Sequence, residues 1–117
     1  MELTTEVRGA GLARVGVGAA LLAKPDAAFG WIGAEADGRG AQVLTRALGI
    51  RDLVIGAGIA AQAGDSKALR PWLLAGIVAD AVDFAATLTA PDAPGRKIVL
   101  GVASGSALAG LTYLARA

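Results

Sequence analysis

Six ionisable side chains lie inside stretches that are otherwise apolar enough to cross a bilayer. They are Asp52, Asp80 and Asp83, and Arg14, Arg46 and Arg51. An ionised group at the centre of a bilayer costs about 2.5–3.5 kcal/mol on insertion scales. A chain keeps such groups only by pairing them, or by turning them toward a bundle interior or a wet cavity. Three acids and three bases sum to zero, as mutual pairing inside one small bundle would require. The constraint speaks strongly to architecture and weakly to biochemical role.

The 117 residues suffice for one domain. Hydrophobic residues make up 55% and only 18% are charged, with a mean hydropathy of +0.57. A net charge of +1 gives no electrostatic case for a nucleic-acid partner. Cysteine and histidine are both absent, which removes disulfides, thiol nucleophiles, imidazole bases and the usual zinc and haem ligands. Any metal would have to be a hard cation on carboxylates, and neither a metal nor a cofactor is expected. The Ala, Gly, Arg and Asp vocabulary suits a high-GC bacterial genome. Residues 15–23 have the length of a signal-peptide core, but Glu2 and Glu6 precede them and Lys24-Pro25-Asp26 follows where a small-residue cleavage site belongs.

Four apolar segments emerge, at about 7–23, 41–63, 68–90 and 96–114. The first stops at Lys24-Pro25 and is short for a span, which needs about 20 residues. Phe29-Gly30-Trp31-Ile32 suits the headgroup level, and Glu35, Asp37 and Arg39 mark a solvated loop. Gly64 is a helix-ending candidate, Pro71 is placed in the first turn of the third segment, and Trp72 beside Arg70 reads as an interfacial anchor. Pro91 to Gly95 breaks the chain before the fourth segment, which has no charge between Lys97 and Arg116. Short connections favour antiparallel neighbours, and the scattered Val and Ile give no strand pattern. The expected fold is therefore all-α, an antiparallel four-helix transmembrane bundle. A soluble bundle would need charged stripes that these segments lack.

At about 100° per residue, Asp80 and Asp83 share a face with Gly76 and Thr87. Asp52 shares one with Thr45, Gly49 and Gly56, while Arg51 points about 100° away. Adjacent Arg51 and Asp52 are thus expected to reach different neighbours, as in a network. Small residues recur at four-residue spacing in Gly101, Gly105 and Ala109, in Gly16 and Ala20, and in Gly56 and Ala60. Such rows let helix backbones approach, either within the bundle or, at Gly101 and Gly105, along a dimer seam.

The chemistry leaves three readings open. Arg51, Arg46 and Arg14 can neutralise Asp52, Asp80 and Asp83 to fix helix order, in an accessory or scaffold protein without catalysis. Intramembrane carboxylates gated by arginine can also carry protons, cations or a lipophilic solute in a small transporter or channel. Least supported is a membrane enzyme holding Mg²⁺ on Asp80-Ala-Val-Asp83, because no second acidic cluster accompanies that pair. Ser104 and Ser106 have no base beyond these carboxylates, and the Gly-x-Gly pieces lie within apolar helices, not phosphate loops.

Ala47-Leu-Gly49-Ile-Arg51-Asp52-Leu53, Arg70-Pro-Trp72-Leu-Leu-Ala-Gly76 and Asp80-Ala-Val-Asp83 carry a resemblance. Over most of its length the chain resembles a group of small uncharacterised four-span bacterial membrane proteins with G-x-R-D and D-x-x-D segments. That resemblance implies that Arg51, Asp52, Asp80 and Asp83 belong together, and implies no activity. The expected setting is a bacterial inner membrane with lipid as partner, with room for a homodimer or a larger membrane complex. Cytoplasmic termini are favoured because Arg8, Lys67, Arg70 and Arg116, joined by Arg14 if it reaches that interface, outnumber Lys24, Arg39, Arg96 and Lys97.

Overall fold

The computed structural model describes residues 2–25, 39–89 and 96–117. These form four α-helices and no strands: α1 Glu2–Ala23, α2 Arg39–Gln62, α3 Ser66–Leu88 and α4 Arg96–Arg116. The expected Phe29 to Ile32 interfacial stretch and the Pro91 to Gly95 break lie outside the described residues. Helix α1 starts at Glu2 rather than Val7, because its first turns pack: Leu3 lies against the core and Val7 is almost fully buried.

The turn between α2 and α3 shows why α3 starts where it does. Asp65 is the N-cap, with extended backbone at φ −126°, ψ 99°. Its carboxylate accepts from the Lys67 and Ala68 amides at 3.1 and 3.2 Å, satisfying two of the donors every helix start leaves open. The helix therefore begins at Ser66, and Pro71 falls in its second turn instead of the first. There the missing N–H removes the bond that would have gone to the Lys67 carbonyl.

Neighbouring helices run antiparallel. Arg51 of α2 meets Asp83 of α3 at one level, and Gly58 meets Trp72 at another. Asp80 and Ser106 share the Arg14 guanidinium, Ile77 abuts Gly110, and Arg70 reaches the Leu114 carbonyl, so α3 and α4 also run opposite ways. Both described chain ends and the Gly64 turn thus lie at one end. The main apolar core occupies that half: Val7, Ile55, Ile59, Ala63, Leu69, Leu73 and Ala79, flanked by Leu3, Trp72, Tyr113 and Leu114. Trp72 is half-buried with its ring laid across Gly58, so it packs into the bundle and is more than an interfacial anchor.

The tightest contact is a glycine seam between α1 and α2. A Cβ built on Gly18 would lie 2.5 Å from the Gly49 carbonyl oxygen, and one on Gly49 would lie 2.7 Å from the Gly18 oxygen. One turn pair further along, Gly11 and Gly56 repeat the arrangement, at 2.7 and 2.5 Å from each other's carbonyl oxygens. The glycines recur every seventh residue on each helix, two turns apart and on one face. The contacts are backbone on backbone, so no rotamer change can make room for a methyl. Gly16, Gly101 and Gly105, by contrast, have no neighbour within 4 Å of a built Cβ. The expectation that Gly101 and Gly105 pack helices inside the bundle is therefore corrected: that face of α4 points outward.

Gly18→Ala and Gly56→Ala should each destabilise the fold by about 1–3 kcal/mol through overpacking. Gly105→Ala should instead stabilise by about 0.5–1 kcal/mol, the helical preference of alanine in open space. Denaturant titrations of the three variants side by side check both signs.

Candidate functional site: a four-helix Arg/Asp network

Midway along the bundle, one guanidinium gathers three helices. Arg14 on α1 is held in place because its own backbone lies on the glycine seam, its Cβ 3.0 Å from where a Gly56 Cβ would stand. From there Nη1 donates to Asp52 Oδ1 of α2 at 3.3 Å. Nη2 donates to Asp80 Oδ2 of α3 at 2.6 Å and to Ser106 Oγ of α4 at 2.7 Å. Gly76 lies beside this reach: a Cβ there would sit 3.5 Å from Nη2, an ordinary van der Waals contact.

A second guanidinium extends the network along α2 and α3. Arg51 grips Asp83 with both nitrogens, Nη1 to Oδ1 at 2.9 Å and Nη2 to Oδ2 at 2.7 Å. This is the fork-on-carboxylate geometry that makes arginine the stronger partner. Nη2 also reaches Asp52 Oδ1 at 3.2 Å. Adjacent Arg51 and Asp52 were expected to point to different partners. They do, and the long arginine side chain also bends back to its neighbour. Asp52 thereby joins the two arginines.

The network grades from inside to outside. The side chains of Asp80, Arg14 and Asp52 are 7%, 13% and 13% exposed, whereas Arg51 and Asp83 are 28% and 29% exposed. Beside the buried end lies a cavity of ≈ 50 Å³ lined by Arg14, Asp80, Ser106, Tyr113 and apolar groups. A cavity holding a water needs only about 10–15 Å³ on that scale, so this one has room for solvent. A shallower groove on the outer face carries Arg51 among Ile55, Leu74, Val78 and Val82.

Four of the expected residues, Arg51, Asp52, Asp80 and Asp83, come together with Arg14. Arg46 does not. It is exposed, and no ion pair joins it to a carboxylate among the described residues. It lies six residues before Asp52, about 120° around the helix from it, and so cannot enter the same interior. Ser106 was missed as a member. Nothing in an apolar helix with several hydroxyls distinguishes it, although it lies on the α4 face toward Gly110, which packs on Ile77. The Asp80 and Asp83 carboxylates answer to different arginines, so they do not converge as a two-carboxylate cation site.

Comparison with family models, with curated proteins and with solved structures finds no match to this chain.

Arg14→Leu should cost about 3–5 kcal/mol, because it strands Asp80 without a partner in a nearly closed site. Ser106→Ala should cost about 1.5–3 kcal/mol, the range for a hydrogen bond to a charged group. Arg46→Leu should stay within about 0.5 kcal/mol of the native chain. The ranking of the three midpoints in one denaturant series is the check.

Proposed function

We propose that this chain is a small integral membrane protein of four spans, an accessory or scaffold component in which the Arg/Asp network fixes helix order and register. The observation that carries the reading is that a single guanidinium, Arg14, bonds to α2, α3 and α4 at once. An interaction of that kind organises a bundle. Its carboxylates are engaged by arginine, not arranged around a substrate.

The surface supports the membrane setting. Helices α3 and α4 are long and apolar enough to cross a bilayer. The core helix of a soluble protein passes the same test, but it hides its apolar residues. Here α4 has one buried residue, Ala103, and exposes Ile98, Val102, Leu108 and Leu111. Helix α3 likewise exposes Leu74, Val78, Val82 and Leu88, and α2 exposes Val43, Leu44, Ile50 and Val54. At 1.5 Å per residue the four helices are about 32–36 Å long, against a hydrocarbon core of about 30 Å. The outward hydroxyls are satisfied within their own helices: Thr112 and Ser104 donate to the Leu108 and Gly101 carbonyls. Lipid requires this of a polar side chain, since no water is there to do it. An inner membrane of a bacterium is the proposed location. Arg14, engaged in the network, no longer adds to the basic residues at the terminal end. That leaves Arg8, Lys67, Arg70 and Arg116 against Lys24, Arg39, Arg96 and Lys97, an even balance that removes the argument for cytoplasmic termini.

A second reading, a small proton or cation transporter, draws on the solvent-sized cavity against Arg14, Asp80 and Ser106. It predicts flux in reconstituted liposomes that Asp80→Asn abolishes without unfolding the bundle.

Expressed in bacteria, the chain should sediment with membranes and stay there through alkaline carbonate washing. Recovery as a monodisperse soluble protein would overturn the membrane reading. Within the membrane, Arg14→Asp and Asp80→Arg should each destabilise, and the double swap should restore part of the loss. Failure of every swap, with flux lost in Asp80→Asn, would move the reading to the transporter.

A further inference from the structure

Helix α2 packs less closely on α3 than on α1, and the looser contact leaves a groove along the outside of the bundle. Its volume is ≈ 570 Å³, inside the range of about 300–1,000 Å³ typical of small-molecule sites. The floor is Ile55 and Ala79, both buried, and the long wall is the α3 row Pro71, Leu74, Ala75, Val78 and Val82. Small residues at 75 and 79 keep the space open. Leu74, Val78 and Val82 are exposed, so no described residue covers them.

The length of the groove selects its occupant. Pro71 to Val82 is eleven residues on, about 16 Å at 1.5 Å per residue. Half of a hydrocarbon core of about 30 Å is about 15 Å. The groove begins near the end of the bundle that holds the Gly64 turn and stops at mid-height, where Arg51 stands paired with Asp83. A spanning helix of a second copy would need a groove twice as long. An acyl chain of one leaflet matches it.

The mouth of the groove supplies a charge. Lys67 lies four residues before Pro71, one turn earlier on the same face of α3. It is exposed, and its ammonium makes no ion pair or hydrogen bond among the described residues. Arg8 and Arg70 at the same end are engaged, donating to the Ala60 and Leu114 carbonyls. The acid closest in sequence, Asp65, turns Oδ1 to the Lys67 and Ala68 amides.

We propose that the α2/α3 groove binds an anionic glycerophospholipid, with one acyl chain laid between the helices and the phosphate at Lys67. The inference rests on the membrane reading above. A lysine at the end of a span carries its charge to the headgroup level on a long apolar stem, and a basic group there favours anionic lipid. The chain fills the gap that the looser packing of α2 on α3 leaves. It also covers the outer side of the Arg51–Asp83 pair, the most exposed part of the network.

Native mass spectrometry reads the site, on the full chain purified in mild detergent and incubated with equal amounts of phosphatidylglycerol and phosphatidylcholine of matched acyl chains. One phosphatidylglycerol per chain should stay bound, in preference to phosphatidylcholine. Ala75→Trp and Val78→Trp each fill the groove from an exposed position and should lose both lipids; if Ala75→Trp disturbs the fold, Val78→Trp decides. Lys67→Gln should keep lipid but lower the preference for the anionic one about fivefold. Val102→Trp, on the exposed face of α4, should behave as the native chain. Lipid retained by the groove variants, or lost equally from Val102→Trp, overturns the proposal, as does equal retention of the two lipids by the native chain. A lipid-free dimer that Val78→Trp dissociates would give the groove to a second copy and overturn it too. A chain that embeds in membranes yet holds no lipid sinks this site alone, whereas a chain soluble without detergent sinks the membrane reading with it.

Discussion

The Arg14 guanidinium is the interaction on which the bundle turns. It must leave α1, pass beside Gly76 and meet acceptors on three other helices within one small volume. Arginine can do this because its donors form a rigid planar fork. A lysine also has three donors, but all on one nitrogen, so it could not bridge acceptors spread across the width of a guanidinium. Everything near Arg14 follows from that reach. The close approach of α1 to α2 and the hydroxyl at 106 keep its path short or receive its donors.

Much of this arrangement was legible in the chain, for a physical reason. Ionised groups in apolar segments are expensive wherever they lie, so Arg51, Asp52, Asp80 and Asp83 mark themselves without knowledge of the fold. Their partners were less legible. Arg14 and Arg46 are equivalent as single arginines in apolar helices, and only helical phase separates them. Counted from Asp52, Arg46 falls about 120° away, a signal the charge balance obscured. The glycine seam was hidden by a similar choice of period. Rows four residues apart pick out Gly56, which does pack, but also Gly16, Gly101 and Gly105, which face open space; Gly11, Gly18 and Gly49, the rest of the seam, repeat with Gly56 every seventh residue. The start of α3 depended on Asp65, whose capping role outweighed the start of the apolar run.

The division of labour within the fold explains why both devices are present. A glycine seam brings the α1 and α2 backbones close and gains dispersion contacts, and because a methyl does not fit at its four close points it also restricts the register of those two helices. It does not extend to α3 and α4, whose exposed Val, Leu and Ile present similar surfaces at every register. Hydrogen-bonded ion pairs have the opposite character. They gain little over apolar packing when satisfied and lose several kcal/mol when displaced. A shift of α3 by a single turn would carry Asp80 and Asp83 about 5.4 Å from their arginines. The seam therefore sets how α1 and α2 meet, and in the proposed scaffold reading the network sets where α3 and α4 stop along them.

This also accounts for the placement of the polar groups at mid-height rather than at the ends. Near either end, arginine side chains have cheaper options, and Arg8 and Arg70 take them by capping the carbonyls of Ala60 and Leu114. An ion pair there could exchange its partner for water, and its loss would move nothing. At the centre, solvent has only the cavity of ≈ 50 Å³ beside Arg14 and Asp80, far less than at an exposed end. The acceptors Arg14 can reach belong to the other helices, so mispairing carries the full penalty of a stranded charge. In the proposed scaffold reading, a network that is costly to bury disfavours the arrangements that would strand one of its charges.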